Sequence, residues 1–343
     1  MAATHNADHA SFILGANGVF LDAFGDRCVL IGSIEFTEFC HRLDAMFEAP
    51  LGRKLIYAAT DAEEHLLSHH PSAKFGRWFG KSSVKSRLRQ RAVDMGWGLF
   101  GDGQIIGPVH DAMTVGFSLA HHEHINQTRA TIEWKQATSE LIQLVYSHKD
   151  EVVTAVSPPR RLPWFGELHA SSPTRTLTTD FDHRAYGFFH GEERSFFLSV
   201  QVFLYMFESI LGRPLSQDSV PSFSLEVHGV SEHEQTFQSL VRAACAAFEQ
   251  NNRPVYVQTK DDWGGHLDRF FTERGFGRVL VQESILDGEP RSIFTVHSPI
   301  TPYTVGVLVG MWQRAHGTPG DVEVTLDGEK CSVSLSPRRV DYV

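Results

Sequence analysis

Nineteen histidines are the first side chains in this chain that could do chemistry, because a neutral imidazole ligates metals and titrates near neutral pH. They cluster as His121-His122-Glu123-His124 and as His65 with His69-His70, and imidazoles four residues apart share one helix face. Neither cluster reaches a His-Glu-x-x-His motif, and so many histidines produce clusters without any site, so no metal ligand set is assigned. His110 and His297 stand apart because each occupies the same place in a repeated pattern set out below. Each is either a hydrogen-bond donor at a pocket or a histidine tied to backbone. Trp134, Tyr303 and Trp312 lie at or beside the same repeated positions, with Trp97 and Phe276. Aromatic rings facing one cavity would hold a planar apolar ligand, and they also serve to fill a core. His110, Trp134, His297, Tyr303 and Trp312 are the candidate ligand contacts.

A second constellation is electrostatic. Lys74, Arg77, Lys81, Lys85, Arg87, Arg89 and Arg91 fall in residues 65–93, which hold no acid, whereas the whole chain has 41 acidic against 31 basic residues. With Phe75, Trp78 and Phe79 interleaved, the stretch resembles patterns that hold phosphates or stacked bases. It is also what a solvated helix face looks like. Lys85, Arg87, Arg89 and Arg91 are expected to form an exposed surface for an anionic partner. The formal charge of -10 argues against general nucleic-acid binding. Enzyme signatures are absent: there is no Walker loop, no dinucleotide-binding glycine pattern, no Gly-x-Ser-x-Gly and no close Cys-x-x-Cys pair. The paired carboxylates at Asp180 and Asp182, and at Asp261 and Asp262, sit in polar, loop-like surroundings. An enzyme is therefore the weakest reading.

The elements that must position these residues come from a repeat. Residues 46–55 recur at 206–215 with seven of ten positions identical. Gly96-Trp97-Gly98 is answered by Gly275-Phe276-Gly277, Val109-His110 by Val296-His297, Thr114-Val115-Gly116 by Thr304-Val305-Gly306, and Ile132-Glu133 by Val322-Glu323. Prolines 158, 159, 163 and 173 mark a linker over 157–175, which divides the chain into repeats over 1–156 and 176–343. Apolar spacing predicts a helix through Phe36, Phe39, Leu43 and Phe47, stopped by Gly52, and another ending at Met95. It predicts strands around 104–109 and 131–146, helices over 227–250 and 264–274, a short strand at 255–258, and a hairpin around Asp327-Gly328. Residues 196–207, apolar on almost every face, read as a buried helix. The predicted fold is α+β: two similar domains, each an antiparallel sheet packed with helices, arranged as an intrachain pseudo-dimer.

The order Gly275-Phe276-Gly277, hairpin, Val296-His297-Ser298-Pro299, then Val305 to Trp312 with its Gly306 and Gly310, Val322-Glu323-Val324 and Cys331-Ser332-Val333 resembles the 4-vinyl-reductase-like, or hydrocarbon-binding, domain. The resemblance covers about 187–338 and, through the repeat, 18–147 more weakly. It implies an α+β fold with an apolar pocket; its members include aromatic-sensing activators, a bacteriochlorophyll-pathway protein and vesicle-tethering subunits. Many members bind zinc through two cysteines of the closing hairpin. Here Glu323 and Cys331 remain, but Leu326 falls near the first cysteine, and the first repeat has Glu133 and Leu141. No zinc site or other cofactor is therefore expected.

No apolar run approaches the roughly 20 residues of a membrane span, the first residues lack a secretory pattern, and the four cysteines form no close pair. A cytoplasmic protein is expected. The functional expectation is a non-catalytic sensory or carrier protein for a small lipophilic or aromatic molecule. The alternative is a ligand-free scaffold working through its surfaces, with a protein partner or a second copy.

Overall fold

The structure is a computed structural model that describes residues 12–69, 80–165, 174–176, 181–216, 223–251, 253–285, 290–328 and 330–338. Lys74, Arg77 and the aromatic residues at 75, 78 and 79 lie outside them. The fold is α+β.

The chain opens with β1 (Ile13–Gly15), β2 (Phe20–Leu21) and β3 (Arg27–Gly32), followed by α1 (Ser33–Asp44), α2 (Lys54–His69) and α3 (Lys81–Asp94). Then come β4 (Leu99–Phe100), β5 (Gln104–Ile106), α4 (Asp111–Asn126), β6 (Thr128–Thr138) and β7 (Leu141–Val152). After β8 (Thr174–Thr176), a similar series follows: β9 (Asp182–Arg184), β10 (Gly187–His190), β11 (Glu193–Ser199) and α5 (Val200–Ser209). It continues with β12 (Ser224–His228), α6 (Glu234–Gln250), α7 (Asp262–Phe270), β13 (Arg278–Ile285), β14 (Arg291–His297), α8 (Thr301–His316), β15 (Gly320–Asp327) and β16 (Lys330–Pro337).

Strand order repeats as well. One sheet runs β4-β5-β7-β6, and another β13-β14-β16-β15, with β12 added in parallel on β15. A third sheet, β8-β1-β2-β3-β11-β10-β9, is shared by both halves of the chain. At its centre β3 and β11 pair antiparallel, from Cys28 opposite Ser199 to Gly32 opposite Ser195, with Leu30 facing Phe197 at the midpoint. Every residue from 28 to 32 and from 195 to 199 is buried, so this sheet is covered on both faces and its strands read as unbroken apolar runs.

Helices cross between the halves. α1 packs on α6, and α5 packs on α2. Within each half, α4 crosses α2 and α8 crosses α6, at closely matched points. A Cβ on Gly116 would lie 2.4 Å from the Ile56 carbonyl oxygen, and one on Gly306 would lie 2.3 Å from that of Val241. Only glycine lets these backbones approach so closely, which is why Thr-Val-Gly recurs.

Four sequence expectations change. The apolar run 196–207 is not one helix: its first residues form the end of β11, and α5 starts after Ser199, whose hydroxyl accepts from the Gln201 amide at 3.1 Å. An element buried on all sides has no periodicity to distinguish strand from helix. Residues 255–258 form no strand, and Val227 lies in β12 rather than in a helix. Finally, the ten-residue match joins unlike places, since Met206 and Phe207 are inside α5 whereas Met46 and Phe47 follow the end of α1. Phe47 instead bridges Leu215.

Candidate functional site

None of the five expected ligand contacts lines the clefts described below. Tyr303 and Trp312 are buried in α8 with their polar atoms engaged. The Tyr303 hydroxyl donates to Glu35 at 2.7 Å, and the Trp312 indole donates to Ser292 at 3.2 Å. His110 caps α4, its Nδ1 accepting from the Met113 amide at 3.5 Å; burial pushes its pKa down to about 4. His297 ends β14 opposite Arg278. Trp134 lies partly exposed on β6. His110 and Tyr303 do meet one helix, edge-on to Phe36 and Phe39 of α1, but as core packing.

The cationic group divides. Lys85 and Arg89 both pair with the exposed Asp102 beside a cleft of about 250 Å³ that also meets His122 and Tyr146. Arg91 is not on that surface. It is 5% exposed, because α3 turns Leu88, Arg91 and Ala92 inward together. There its Nε donates to Glu63 at 2.8 Å and its Nη1 to Asp22. Burial works against the Glu63 carboxylate, but Arg91 and His121 outweigh it and hold its pKa at about 2. The cause is that helical spacing placed charge on an inward face, where buried acids neutralise it.

Beside this network Asp26 is buried with one carboxylate oxygen lacking a hydrogen bond. Burial, then Asp22, raises its pKa to about 7, against the Ser199 hydroxyl and Arg91, which lower it. A carboxyl raised above its unfolded value favours folding fully at acid pH, and that contribution is lost as pH climbs through the folded value. Asp26→Asn keeps the shape without the charge. Its gain over the unaltered chain is expected to be about 2–3 kcal/mol larger at pH 8 than at pH 5, because the unfolded carboxyl is already ionised at pH 5 while the folded one is not. Denaturant titrations at the two pH values check this, and an equal difference at both would refute it.

Asp22 and Phe24 belong to the turn between β2 and β3, and together they fill one cleft. Asp22 takes the Phe24 and Asp26 amides on Oδ1 at 2.8 and 2.9 Å. The Phe24 ring packs with Leu66, Leu67 and Leu88 and lies 4.8 Å from the Arg91 guanidinium. About 220 Å³ of open space remains at its edge, beside Arg87 and Gln90.

The turn between β10 and β11 holds the corresponding place in the second half. It presents Gly191 and Glu192, both exposed, over a cleft of about 740 Å³. Ile34, Glu35 and Glu38 of α1 form one wall, the end of α6 with Arg253 and Pro254 another, and Arg269 and Phe270 of α7 a third. Its floor repeats a device of the first half. Arg274 lies 5.0 Å from the Phe276 ring, as Arg91 lies 5.3 Å from Trp97, and each arginine holds a buried glutamate. Arg274 donates Nη2 to Glu35 at 2.7 Å and Nε to the Leu30 carbonyl at 3.1 Å. Burial opposes the Glu35 carboxylate, but Arg274 and Arg253 keep its pKa below the ordinary value.

Arg253 donates to Glu193 at 2.6 Å, and the other oxygen of Glu193 accepts the Ile34 and Glu35 amides, both at 3.2 Å. A carboxylate there satisfies the free amides of the α1 N-terminus. Arg269 is exposed and has no ion pair among the described residues. Arg274 could have drawn notice as the residue before the Gly-Phe-Gly turn, but Glu35 is 239 positions away and nothing local marks it. Among the described residues no three potential metal ligands converge, and no helix is long and apolar enough to cross a membrane. The chain matches no family model, no curated protein and no solved structure.

Proposed function

We propose that this chain is a non-catalytic, cytoplasmic sensory or carrier protein, a duplicated hydrocarbon-binding-type fold forming an intrachain pseudo-dimer, whose second copy holds a small lipophilic or aromatic molecule. Its seat is the cleft between α1, α6 and α7, not the aromatic core. Support for the duplication comes from the repeated strand order, the β3–β11 register centred on Leu30 and Phe197, and the paired glycine crossings. Four free cysteines agree with a reducing compartment.

The observation that carries the binding reading is a difference between corresponding places. The first half leaves about 220 Å³ beside its own Asp22 and Phe24, whereas the cleft of the second half opens to about 740 Å³, a volume in the range of small-molecule sites. Native mass spectrometry of the purified protein should find a bound compound that organic extraction removes. Ile34, 72% exposed at the cleft wall, can be changed without disturbing the core, so Ile34→Asp should abolish that mass increment. An unliganded chain, with the variant indistinguishable, would defeat this reading and favour the scaffold alternative with a protein partner or second copy.

A further inference from the structure

We propose that the open cleft takes an amphipathic monocarboxylate, its anionic group held on the Arg269 side and its apolar body, aromatic by preference, over Ile34, Pro254 and Phe270. The proposal rests on the reading of this cleft as a ligand seat and adds the chemistry of the ligand.

The first half supplies the template. What occupies its cleft is a carboxylate and an aromatic ring two residues apart, Asp22 and Phe24, seated on a buried arginine that lies over the ring of Trp97. The second half keeps the buried arginine and the ring, as Arg274 and Phe276, but its turn offers a glycine and an exposed glutamate where the first offers Phe24. A molecule with an apolar, preferably aromatic, group supplies from outside the ring that the first half takes from Phe24; its carboxylate needs a different anchor from the one Asp22 uses, because Arg274 is already held by Glu35.

Charge placement sets which end goes where. Arg274 and Arg253 are engaged by Glu35 and Glu193, whereas Arg269 on α7 has no ion pair among the described residues and is exposed at the cleft. An arginine can grip a carboxylate through two parallel hydrogen bonds. On the hairpin, the exposed Glu192 repels a second anionic group, while Glu38 on α1 is already paired with Arg42; this favours one carboxylate over two. Phe270, its ring 5.9 Å from the Arg253 guanidinium, and the exposed Ile34 border the cleft with apolar surface.

Calorimetric titration with 4-phenylbutyrate and with its neutral amide, 4-phenylbutyramide, tests this on extracted, full-length protein. The acid should bind about two- to fivefold more tightly than the amide, because an ion pair on an exposed arginine contributes up to about 1 kcal/mol. Arg269→Gln should remove that preference while leaving amide affinity unchanged, and Arg269→Lys should restore part of it. Arg269 is on the surface, so the variants should melt with the unaltered protein. Equal affinity for acid and amide, both lost in Ile34→Asp, would overturn the carboxylate requirement and keep the cleft as a seat for apolar ligands. A preference for the acid that survives Arg269→Gln would overturn the assignment of the anionic end. Binding of neither probe, in a protein whose native mass shows no compound, would overturn the ligand seat as well.

Discussion

Arg91→Met is expected to lower the melting temperature by about 5 °C at pH 7.5, against less than about 2 °C for Lys85→Gln or Arg89→Gln. Methionine replaces much of the volume, so the loss is electrostatic. Glu63 and Asp22 would be left buried beside a third acid, Asp26, without the guanidinium that neutralises them. Removing one partner of a buried pair typically costs about 3–5 kcal/mol. Lys85 and Arg89 share Asp102 in solvent, where such pairs contribute little. The pH dependence has a definite sign. Glu63 titrates near 2 in the intact protein, so its stabilisation is present above the unfolded carboxylate range and lost only as pH falls toward 2. In Arg91→Met the stranded carboxyls take up protons at higher pH. The deficit should therefore narrow by pH 5, and calorimetry at both pH values that found a deficit of less than 2 °C at pH 7.5 would contradict the network.

Expressed separately, residues 1–156 and 176–343 are expected to show no cooperative melting as monomers and to regain it when refolded together. Each piece lacks half of the central sheet. β3 loses the whole ladder it shares with β11, and α1 loses the groove it occupies on α6, just as α5 loses α2. Fragment one would bare Val29, Leu30, Ile31, Phe36 and Phe39, all fully buried in the intact chain; fragment two would bare Phe196, Phe197 and Phe203 in the same way. Apolar burial contributes about 1.5–3 kcal/mol per large side chain, and domains carry a net stability of only about 5–15 kcal/mol, so a few such exposures suffice. Near-ultraviolet circular dichroism during thermal melts reports the outcome, and a cooperative monomeric melt of either fragment would refute it.

Local signals in the sequence reach as far as backbone geometry does. Gly96 and Gly98, like Gly275 and Gly277, all have positive φ at the entry to the first hairpin strand of each half, and only glycine adopts that backbone cheaply. Gly116 and Gly306 were legible for a different reason, the close approach of two helix backbones that leaves no room for a Cβ. The hairpin around Asp327-Gly328 also forms, with Asp327 opposite Lys330. What escaped the sequence depends on distant partners. No local pattern states that β3 pairs with β11, that Arg274 reaches Glu35, or that Arg91 finds Glu63 and Asp22. An arginine on a predicted helix reads as solvated until the acids packed against it are known. Tyr303 and Trp312 lie in the core, whereas Trp134 is exposed on β6; core packing and ligand contact draw on the same aromatic residue types, so the sequence alone does not separate them.

The filled and the open cleft also bear on how such a protein can change. In an assembly of two identical chains, every substitution is written into both copies, so a plug that strengthens one cleft closes the other. Here residues 22–24 and 190–192 are encoded independently. Phe24 and Asp22 pack and hydrogen-bond on their own side, whose strands share one sheet with those of the other. The turn at Gly191 and Glu192 can vary without altering Asp22 and Phe24, so a single polypeptide can build its two sides differently.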